Sequence, residues 1–516
     1  MDTKKKIVRN TMANYIGQFW LMAVSFILFP FIVNHVGLAA SGIWLLISSI
    51  TGYFGLLDLG IGSSLTKYVA EYHAKEDNKQ LNEVINTTFF LFLGVGIIAA
   101  IGLLVFGELF LTSIFSISPE LIDEAKTIVY IVSISMLLRF PMGVFGGVLM
   151  GLQRYDINAL IGIIISIPRI VLIVAFLAIG YGIVALVVIE TFVSVIGWIL
   201  STYYAKRFLP SMSIKPVHFK KKMVTTLLTF GGAVFIMQVC GIIILQTDQI
   251  VIGAFLTMGA ITFYAAAFKI YLLVRRIPEL VLPSIFPAAS ELDAKQDKNA
   301  LQALFIRGSK YTTAAFLSVV IPVTILSKPI LTVWMGHEFT SMYLVLWILL
   351  AGLFFNVNHL VPLQILQGMG RIRMVMILHV VWAISNLALS IILVQKIGLI
   401  GIAMGTTLPL IPLEFFYTKE TLKVLKISWK TYLYVCLLKI YPQAACAAII
   451  LYIMTQLYYP STLIEIAFYG LIGVPVYVVM FYISGLEESE RKDIMTTSTE
   501  IFIKSWQMIG NRVDKR

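Results

Sequence analysis

The sequence predicts an all-α polytopic membrane protein with about 14 transmembrane helices. They form two six-helix lobes related by a pseudo-two-fold axis along the membrane normal, followed by two extra C-terminal helices. Three observations predict this. First, 59% of the 516 residues are hydrophobic and only 13% are charged, with a mean hydropathy of +0.91. A soluble chain carries about 25% charged residues, so this one cannot cover itself with polar side chains and takes lipid as its solvent. Second, apolar runs recur at the ~20-residue length that crosses a bilayer as helix; a membrane barrel would show alternating strands of about 10 residues instead. Third, lysine and arginine collect in every second loop, as they do on the cytoplasmic side of a multi-pass protein.

In order, the spans fall at 12–34, 42–66, 84–106, 125–150, 156–179, 182–204, 224–252, 260–286, 309–328, 341–367, 373–395, 398–418, 432–456 and 462–484. The first follows Lys4, Lys5, Lys6 and Arg9. It is too long for the apolar part of a signal peptide and no small-residue cleavage site follows it. The second and eighth are long and are expected to continue as helices beyond the lipid. Thirty of the 39 basic residues lie at the N-terminus, in the loops after even-numbered spans and in the tail. The opposite loops hold Lys126, Lys328 and Lys396, and the loop before the fourth span is acidic, with Glu108, Glu120, Asp123 and Glu124. Both termini are therefore expected in the cytoplasm. The net charge of +12 reads as membrane topology and not as nucleic-acid binding. The tail from Leu486 is polar and is expected to lie as an amphipathic helix on the membrane surface.

The chain is built twice. Ala70-Glu71-Tyr72-His73-Ala74-Lys75-Glu76-Asp77 aligns with Ser290-Glu291-Leu292-Asp293-Ala294-Lys295-Gln296-Asp297. Gly151-Leu152-Gln153-Arg154 aligns with Gly368-Met369-Gly370-Arg371, and Gly180-Tyr181-Gly182-Ile183 resembles the segment from Gly398 to Ile402 with one inserted residue. Six spans per repeat is an even number, so both repeats enter the membrane in the same direction, with a substrate path expected at their interface. The expected divisions are 1–204 and 224–431 for the lobes, 205–223 for a basic cytoplasmic linker acting as a hinge, 432–484 for spans thirteen and fourteen, and 485–516 for a cytoplasmic tail.

No phosphate loop, H-E-x-x-H or G-x-S-x-G motif is present, so no catalytic residues and no metal site are expected. His359 and His379 lie in spans without a flanking acid pattern. Cys240, Cys436 and Cys446 lie in apolar runs and read as small buried residues. Without a nucleotide motif, active transport needs a Na+ or H+ gradient, the membrane potential or a partner.

Charges inside the spans are the candidate site. A cation at a helix centre costs about 2.5–3.5 kcal/mol on insertion scales, so such residues pair with acids, reach the interface or line an aqueous cavity. Arg139, Arg169, Lys269 and Arg276 are expected to bind substrate. Arg139 and Arg169 each adjoin a helix proline, Pro141 and Pro168, which frees a backbone carbonyl. Lys269 and Arg276 stand seven apart and share one helix face. Asp58, Asp248, Glu190, Glu279 and Arg275 are expected as ion-pair partners or coupling-ion ligands; Arg275 and Glu279 stand four apart and can pair. Asp248 is placed near the outer end of its span, open to solvent. Asn14, Gln18 and Ser25 mark a polar face on span one, and Lys439 is expected to snorkel. Cations in excess of acids select an anionic head group, for which a diphosphate held by Arg and Lys is the natural fit.

Several motifs together resemble the multidrug/oligosaccharidyl-lipid/polysaccharide exporter superfamily, in particular its polysaccharide transporter branch of O-antigen-type flippases. They are Gly37-x4-Gly42-Ile43-Trp44, Leu56-Leu57-Asp58-Leu59-Gly60-Ile61-Gly62 followed by Thr66-Lys67-Tyr68, Gly151-Leu152-Gln153-Arg154, and Asp248-Gln249-Ile250-Val251-Ile252-Gly253 followed by Phe263-Tyr264-Ala265. The resemblance implies a central cavity with alternating access in a bacterial plasma (inner) membrane. It implies export of an undecaprenyl-diphosphate-linked oligosaccharide, of the O-antigen, capsule or exopolysaccharide kind, from the inner to the outer leaflet. There a polysaccharide polymerase or ligase would take it; the other partners are membrane lipids. The same resemblance implies a diphosphate-holding role for Arg139, Arg169, Lys269 and Arg276, and a hydrophobic groove along spans thirteen and fourteen for the prenyl tail. A cation-coupled multidrug exporter of the same superfamily and a lipid II-type flippase are the alternatives. A membrane glycosyltransferase or ligase fits less well, because the outer loops are short.

Overall fold

The computed structural model describes residues 3–279, 282–492 and 495–496. Its helices are α1 (Thr3–Val36), α2 (Leu38–Phe54), α3 (Ile61–Ala74), α4 (Asn78–Leu109), α5 (Leu111–Ile114), α6 (Ile122–Gly151), α7 (Tyr155–Ala178), α8 (Ile183–Phe208), α9 (Lys221–Phe255), α10 (Met258–Glu279), α11 (Ile285–Ala294), α12 (Lys298–Ile325), α13 (Ser327–Met335), α14 (Tyr343–Gly368), α15 (Ile372–Thr407), α16 (Leu410–Leu425), α17 (Trp429–Tyr432), α18 (Tyr441–Leu457) and α19 (Leu463–Met480). Among the described residues, 12 helical segments are long and apolar enough to cross a membrane, or 13 when α12 and α13, bent by 67°, count as one broken span. The span missing from that count lies within Arg373–Leu425, which is 53 residues long and holds both the eleventh and the twelfth expected spans. As one straight helix it would measure about 80 Å, against a hydrocarbon core of about 30 Å. Ile397 (φ −135°) and Gly398 (φ 60°) break it where the sequence divides spans eleven and twelve.

The internal repeat is written into the backbone. Glu76 and Gln296 both take positive φ, 57° and 54°. Asp77 accepts from Gln80 N and Asp297 from Ala300 N, each at 2.9 Å, so each acid caps the following helix. Lys75 pairs with Glu71 and Lys295 with Glu291. Gln153 (φ 56°) and Gly370 (φ 74°) form a second matched pair of turns.

Two compact units emerge: Met1–Lys269 with Met376–Pro409, and Ile270–Val375 with Leu410–Arg516. The repeats and the compact units are different divisions of the chain. The first unit holds α9, half of α10 and most of α15 in addition to the first repeat.

In the first unit, α4 packs along α6, α1 along α7, and α6 against α8. Leu65, Val69, Leu81, Val84, Ile85 and Val148 form part of a closed apolar core. Span two does not continue as one helix. Gly55–Asp58 is a 3₁₀ turn, and Leu59 (φ 50°) and Gly60 (φ 75°) reverse the backbone before α3 begins. Only glycine fits at position 60: its φ is left-handed, and a Cβ there would meet the Gly231 carbonyl oxygen at 2.3 Å. The linker expected to act as a hinge is pinned to α4. Asn82 Nδ2 donates to Ser211 O at 3.0 Å and Asn86 Nδ2 to Ser213 O at 2.8 Å, while Lys215 N donates to Asn86 Oδ1 at 2.7 Å. Two buried amides thus satisfy loop backbone that has no regular structure of its own.

In the second unit, Leu301, Phe305, Val361, Ile365, Leu422 and Tyr432 belong to one core that joins α12, α14 and α16. Lys310, counted among the cytoplasmic loop charges, is instead 1% exposed inside α12. Its Nζ donates to Glu490 Oε2 at 2.6 Å, and Tyr311 Oη donates to Glu490 Oε1 at 3.2 Å. Glu490 lies in the segment just after α19, so this segment folds back and docks on α12. Burial alone would raise the Glu490 carboxyl, but donation from Lys310 and from Glu487 N outweighs it and holds the group below the usual carboxylate range. Lys439 does not simply snorkel; it pairs with Glu487 at 3.0 Å. Val281, within the expected eighth span, and the tail beyond 496 lie outside the described residues, as do the side chains of Lys4, Lys5, Lys6, Arg9 and Asn14.

Candidate functional site

Three of the four cations expected to bind substrate belong to the first unit, where a carboxylate pairs with one of them. Arg169 on α7 donates through Nη2 to Oε1 of Glu190 on α8. Trp44 Nε1, from α2, donates to the other oxygen of Glu190 at 3.2 Å. Arg139 on α6 and Glu190 face one open cavity of about 200 Å³, whose polar wall includes Thr51, Ser135, Thr191 and Ser194. Among the described residues Arg139 makes no salt bridge. Lys269 on α10 donates to Ser25 Oγ on α1 at 3.0 Å and sits 4.7 Å over the Phe29 ring. It lies within electrostatic reach of Arg169 and Glu190. Glu190 therefore pairs with Arg169 and is felt by Lys269, while Arg139 shares only its cavity wall. Pro141 and Pro168 lie within continuous helices.

Arg276, the fourth, lies in the second unit. It pairs with Glu279 at 3.0 Å, and Arg275 pairs with the same carboxylate at 3.4 Å. The i,i+4 pair expected from the sequence forms, but Glu279 is shared by both arginines. Lys269 and Arg276 lie on one helix yet in different compact units.

Of the acids, Asp58 accepts from Gly62 N at 2.8 Å and so closes the break before α3. Asp248 is not solvent-exposed as expected: it is 1% exposed. Tyr264 Oη donates to it at 2.5 Å and Thr406 Oγ1 at 3.1 Å, and Asn386 Nδ2 donates to Thr406 Oγ1 at 3.1 Å. The oxygens of Asn386 and Ser390 in the same helix, α15, make no hydrogen bond among the described residues. Asp248 thus heads a buried oxygen-rich cluster formed by α9, α10 and α15. No group of three or more His, Cys, Asp and Glu side chains is placed to hold a metal among the described residues. Trp44, Asn386 and Thr406 were not singled out as site residues from the sequence. Trp44 stands in the Gly37-x4-Gly42-Ile43-Trp44 motif, and Asn386 with Ser390 is an i,i+4 polar pair in an otherwise apolar run; both signals were legible.

An apolar cavity of about 520 Å³ in the second unit is lined by Leu317 and Ile321 of α12, Phe354 and Phe355 of α14, and Ala444 and Ala448 of α18.

Residues 7–293 match the family described as polysaccharide biosynthesis protein. A protein of Shigella flexneri named an O-antigen transporter is 23% identical over 428 residues, covering 80% of this chain and 98% of that one. A protein of Haloferax volcanii named a low-salt glycan biosynthesis flippase, Agl15, is 23% identical over 198 residues, 38% of this chain and 42% of its own length. Among solved structures, the lipid II flippase MurJ in an inward closed conformation superposes with a TM-score of 0.69 at 20% identity, covering 92% of this chain and 98% of MurJ. An inward-facing multidrug resistance transporter of the MATE family and MOP superfamily superposes with a TM-score of 0.64 at 16% identity, covering 81% and 99%.

Proposed function

The chain belongs to the family described as polysaccharide biosynthesis protein, and from that premise we propose that it moves an undecaprenyl-diphosphate-linked oligosaccharide from the inner to the outer leaflet of a bacterial plasma membrane. It is a multi-pass membrane protein and a polysaccharide flippase in the general sense. The finer reading is supported chiefly by Arg139, whose guanidinium faces the polar cavity while Glu190 is committed to Arg169 and Trp44.

A diphosphate carries its charge on several oxygens, and charge-assisted hydrogen bonds to guanidinium are strong and directional. In the proposed cycle Arg139 takes the first phosphate oxygen, and Arg169 and Lys269 supply further positive potential. Arg276 is proposed to offer positive charge within the second unit, where it shares Glu279 with Arg275. The hydroxyls of Thr51, Thr191 and Ser194 suit sugar hydroxyls. The prenyl tail would occupy the apolar cavity walled by α18, which is span thirteen; span fourteen does not line it. Alternating access through the cationic cavity then moves the head group while the tail remains in lipid. The Asp248 cluster is the proposed seat of a coupling cation, since one carboxylate with several neutral oxygens suits Na+ or a proton. A polymerase or ligase would consume the product at the outer leaflet.

The test is complementation of a flippase-null strain with defined lipid-linked glycans. Restored surface polysaccharide by the wild type, and its loss in Arg139→Ala with normal insertion, is the expected result. No restoration with any diphosphate-linked glycan would overturn the reading.

A further inference from the structure

The second unit contains a buried pair that the cationic site does not use. His359 on α14 and Glu414 on α16 are 55 residues apart in no recognisable motif, yet His359 Nδ1 lies 3.7 Å from Glu414 Oε2. The side chains are 3% and 13% exposed. Thr418 Oγ1 donates to the other carboxylate oxygen, Oε1, at 2.9 Å. Tyr417 stacks on the imidazole with centroids 5.0 Å apart and planes at 17°, and its hydroxyl donates to Val375 O at 3.2 Å, which fixes the ring. Glu414 Oε2 makes no hydrogen bond among the described residues.

Among the described residues, no permanent counter-charge stands against Glu414. Tyr432 and Tyr441, from α17 and α18, are within electrostatic reach and are neutral phenols. Cys436 is a buried thiol near Tyr432. On α12, Lys310 is already bound to Glu490, with Tyr311 on the same carboxylate. At the start of α15, Arg371 and Arg373 are exposed. An isolated carboxylate in such a site is costly. Sharing one proton with an imidazole removes that cost, because the pair is then either acid and neutral ring or carboxylate and imidazolium. A gap of 3.7 Å is too long for a hydrogen bond, so the two groups are adjacent without being locked together.

We propose that Glu414 and His359 form a proton-binding site inside the second unit. The site holds one proton between Glu414 Oε2 and His359 Nδ1 while it is dry, and releases it when water reaches the carboxylate. Only an O–H or N–H bond is made or broken, and water is the donor and acceptor outside. The proton's use in driving transport rests on the flippase reading; its binding does not.

The test is pH-difference infrared spectroscopy on the purified full-length protein in nanodiscs, in H2O and D2O, between about pH 5 and pH 9, a range that brackets the titration of an imidazole. The expected result is a carboxyl protonation band that is lost in Glu414→Gln, with its midpoint displaced by about one pH unit or more in His359→Gln. Thr418→Val keeps both titrating groups and is expected to displace the midpoint too, which covers the case in which a charge-removing variant fails to fold. A spectrum unchanged by Glu414→Gln, or a midpoint unmoved by His359→Gln, overturns the proposal. Transport lost in complementation with the infrared titration intact would count against the flippase reading alone.

Discussion

Arg169 and Glu190, on the packed helices α7 and α8, form an ion pair, and Trp44 Nε1 occupies the second carboxylate oxygen at 3.2 Å. The acid's two oxygens are thereby used. Arg139, which faces the same cavity as Glu190, keeps its charge for something else. The proposed anion selectivity of the cavity rests on this division of labour.

Arg139→Ala is expected to abolish surface polysaccharide in a complementation assay while the protein still inserts. A charge-assisted hydrogen bond contributes about 1.5–3 kcal/mol, so a loss of tenfold or more in transport rate is expected. Arg139→Lys keeps the charge without the planar fork and is expected to retain partial function.

Glu190→Gln tests the pair in the other direction. Arg169 would lose its partner, but both side chains keep some exposure, 36% and 25%, so the destabilisation is expected at about 1 kcal/mol. The double variant Arg169→Gln with Glu190→Gln is expected to recover the unfolding temperature in detergent but not transport.

Gly60→Ala should lower folded yield sharply. The new Cβ meets the Gly231 carbonyl at 2.3 Å and the residue must hold φ 75°, a conformation that costs a non-glycine residue about 1–3 kcal/mol before the clash is counted. Size-exclusion profiles of the detergent-solubilised protein give the readout.

The Lys310–Glu490 contact gives a pH dependence with a defined sign. The Glu490 carboxyl is held below its ordinary value in the folded chain. Its contribution is therefore fully present above the unfolded-chain value of about 4.3 and is lost as pH falls through the lower folded value. Protease cleavage near Arg491 is expected to increase only under such acid conditions in the wild type. Glu490→Gln is expected to raise cleavage at neutral pH, and at about 3–5 kcal/mol it should destabilise more than the double variant with Lys310→Met.

Cysteine labelling tests the membrane topology. Cysteines placed at Lys79 and Lys221 are expected to label from the cytoplasm and one at Glu120 from outside, in a background lacking Cys240, Cys436 and Cys446. Cys446 is the exposed native thiol of the three. Reversal of any one would break the assignment of both termini to the cytoplasm.

Much of the architecture was legible because lipid imposes a simple rule: length and hydropathy mark the spans, and lysine and arginine mark one side. The repeat was legible because the same turn chemistry recurs; Asp77 and Asp297 cap equivalent helices. Two readings failed for local reasons. Span two was read as continuous because Leu56 to Gly62 is apolar, and hydropathy does not register positive φ at Leu59 and Gly60. Asp248 was read as solvent-exposed because it lies near a span end, but Tyr264 and Thr406 close over it from other helices.

By itself the sequence determined that this chain lives in a bilayer as helices, that it was built by repetition, and that a few cations stand where lipid should not tolerate them. Those properties are local or additive along the chain. Only the tertiary structure decided which charges meet. Glu190 is 21 residues from Arg169 and 146 from Trp44, Glu490 is 180 residues from Lys310, and His359 finds Glu414 across two helices. Charge pairing depends on distances of a few ångströms between side chains, and helix packing sets those distances; spacing along the chain does not.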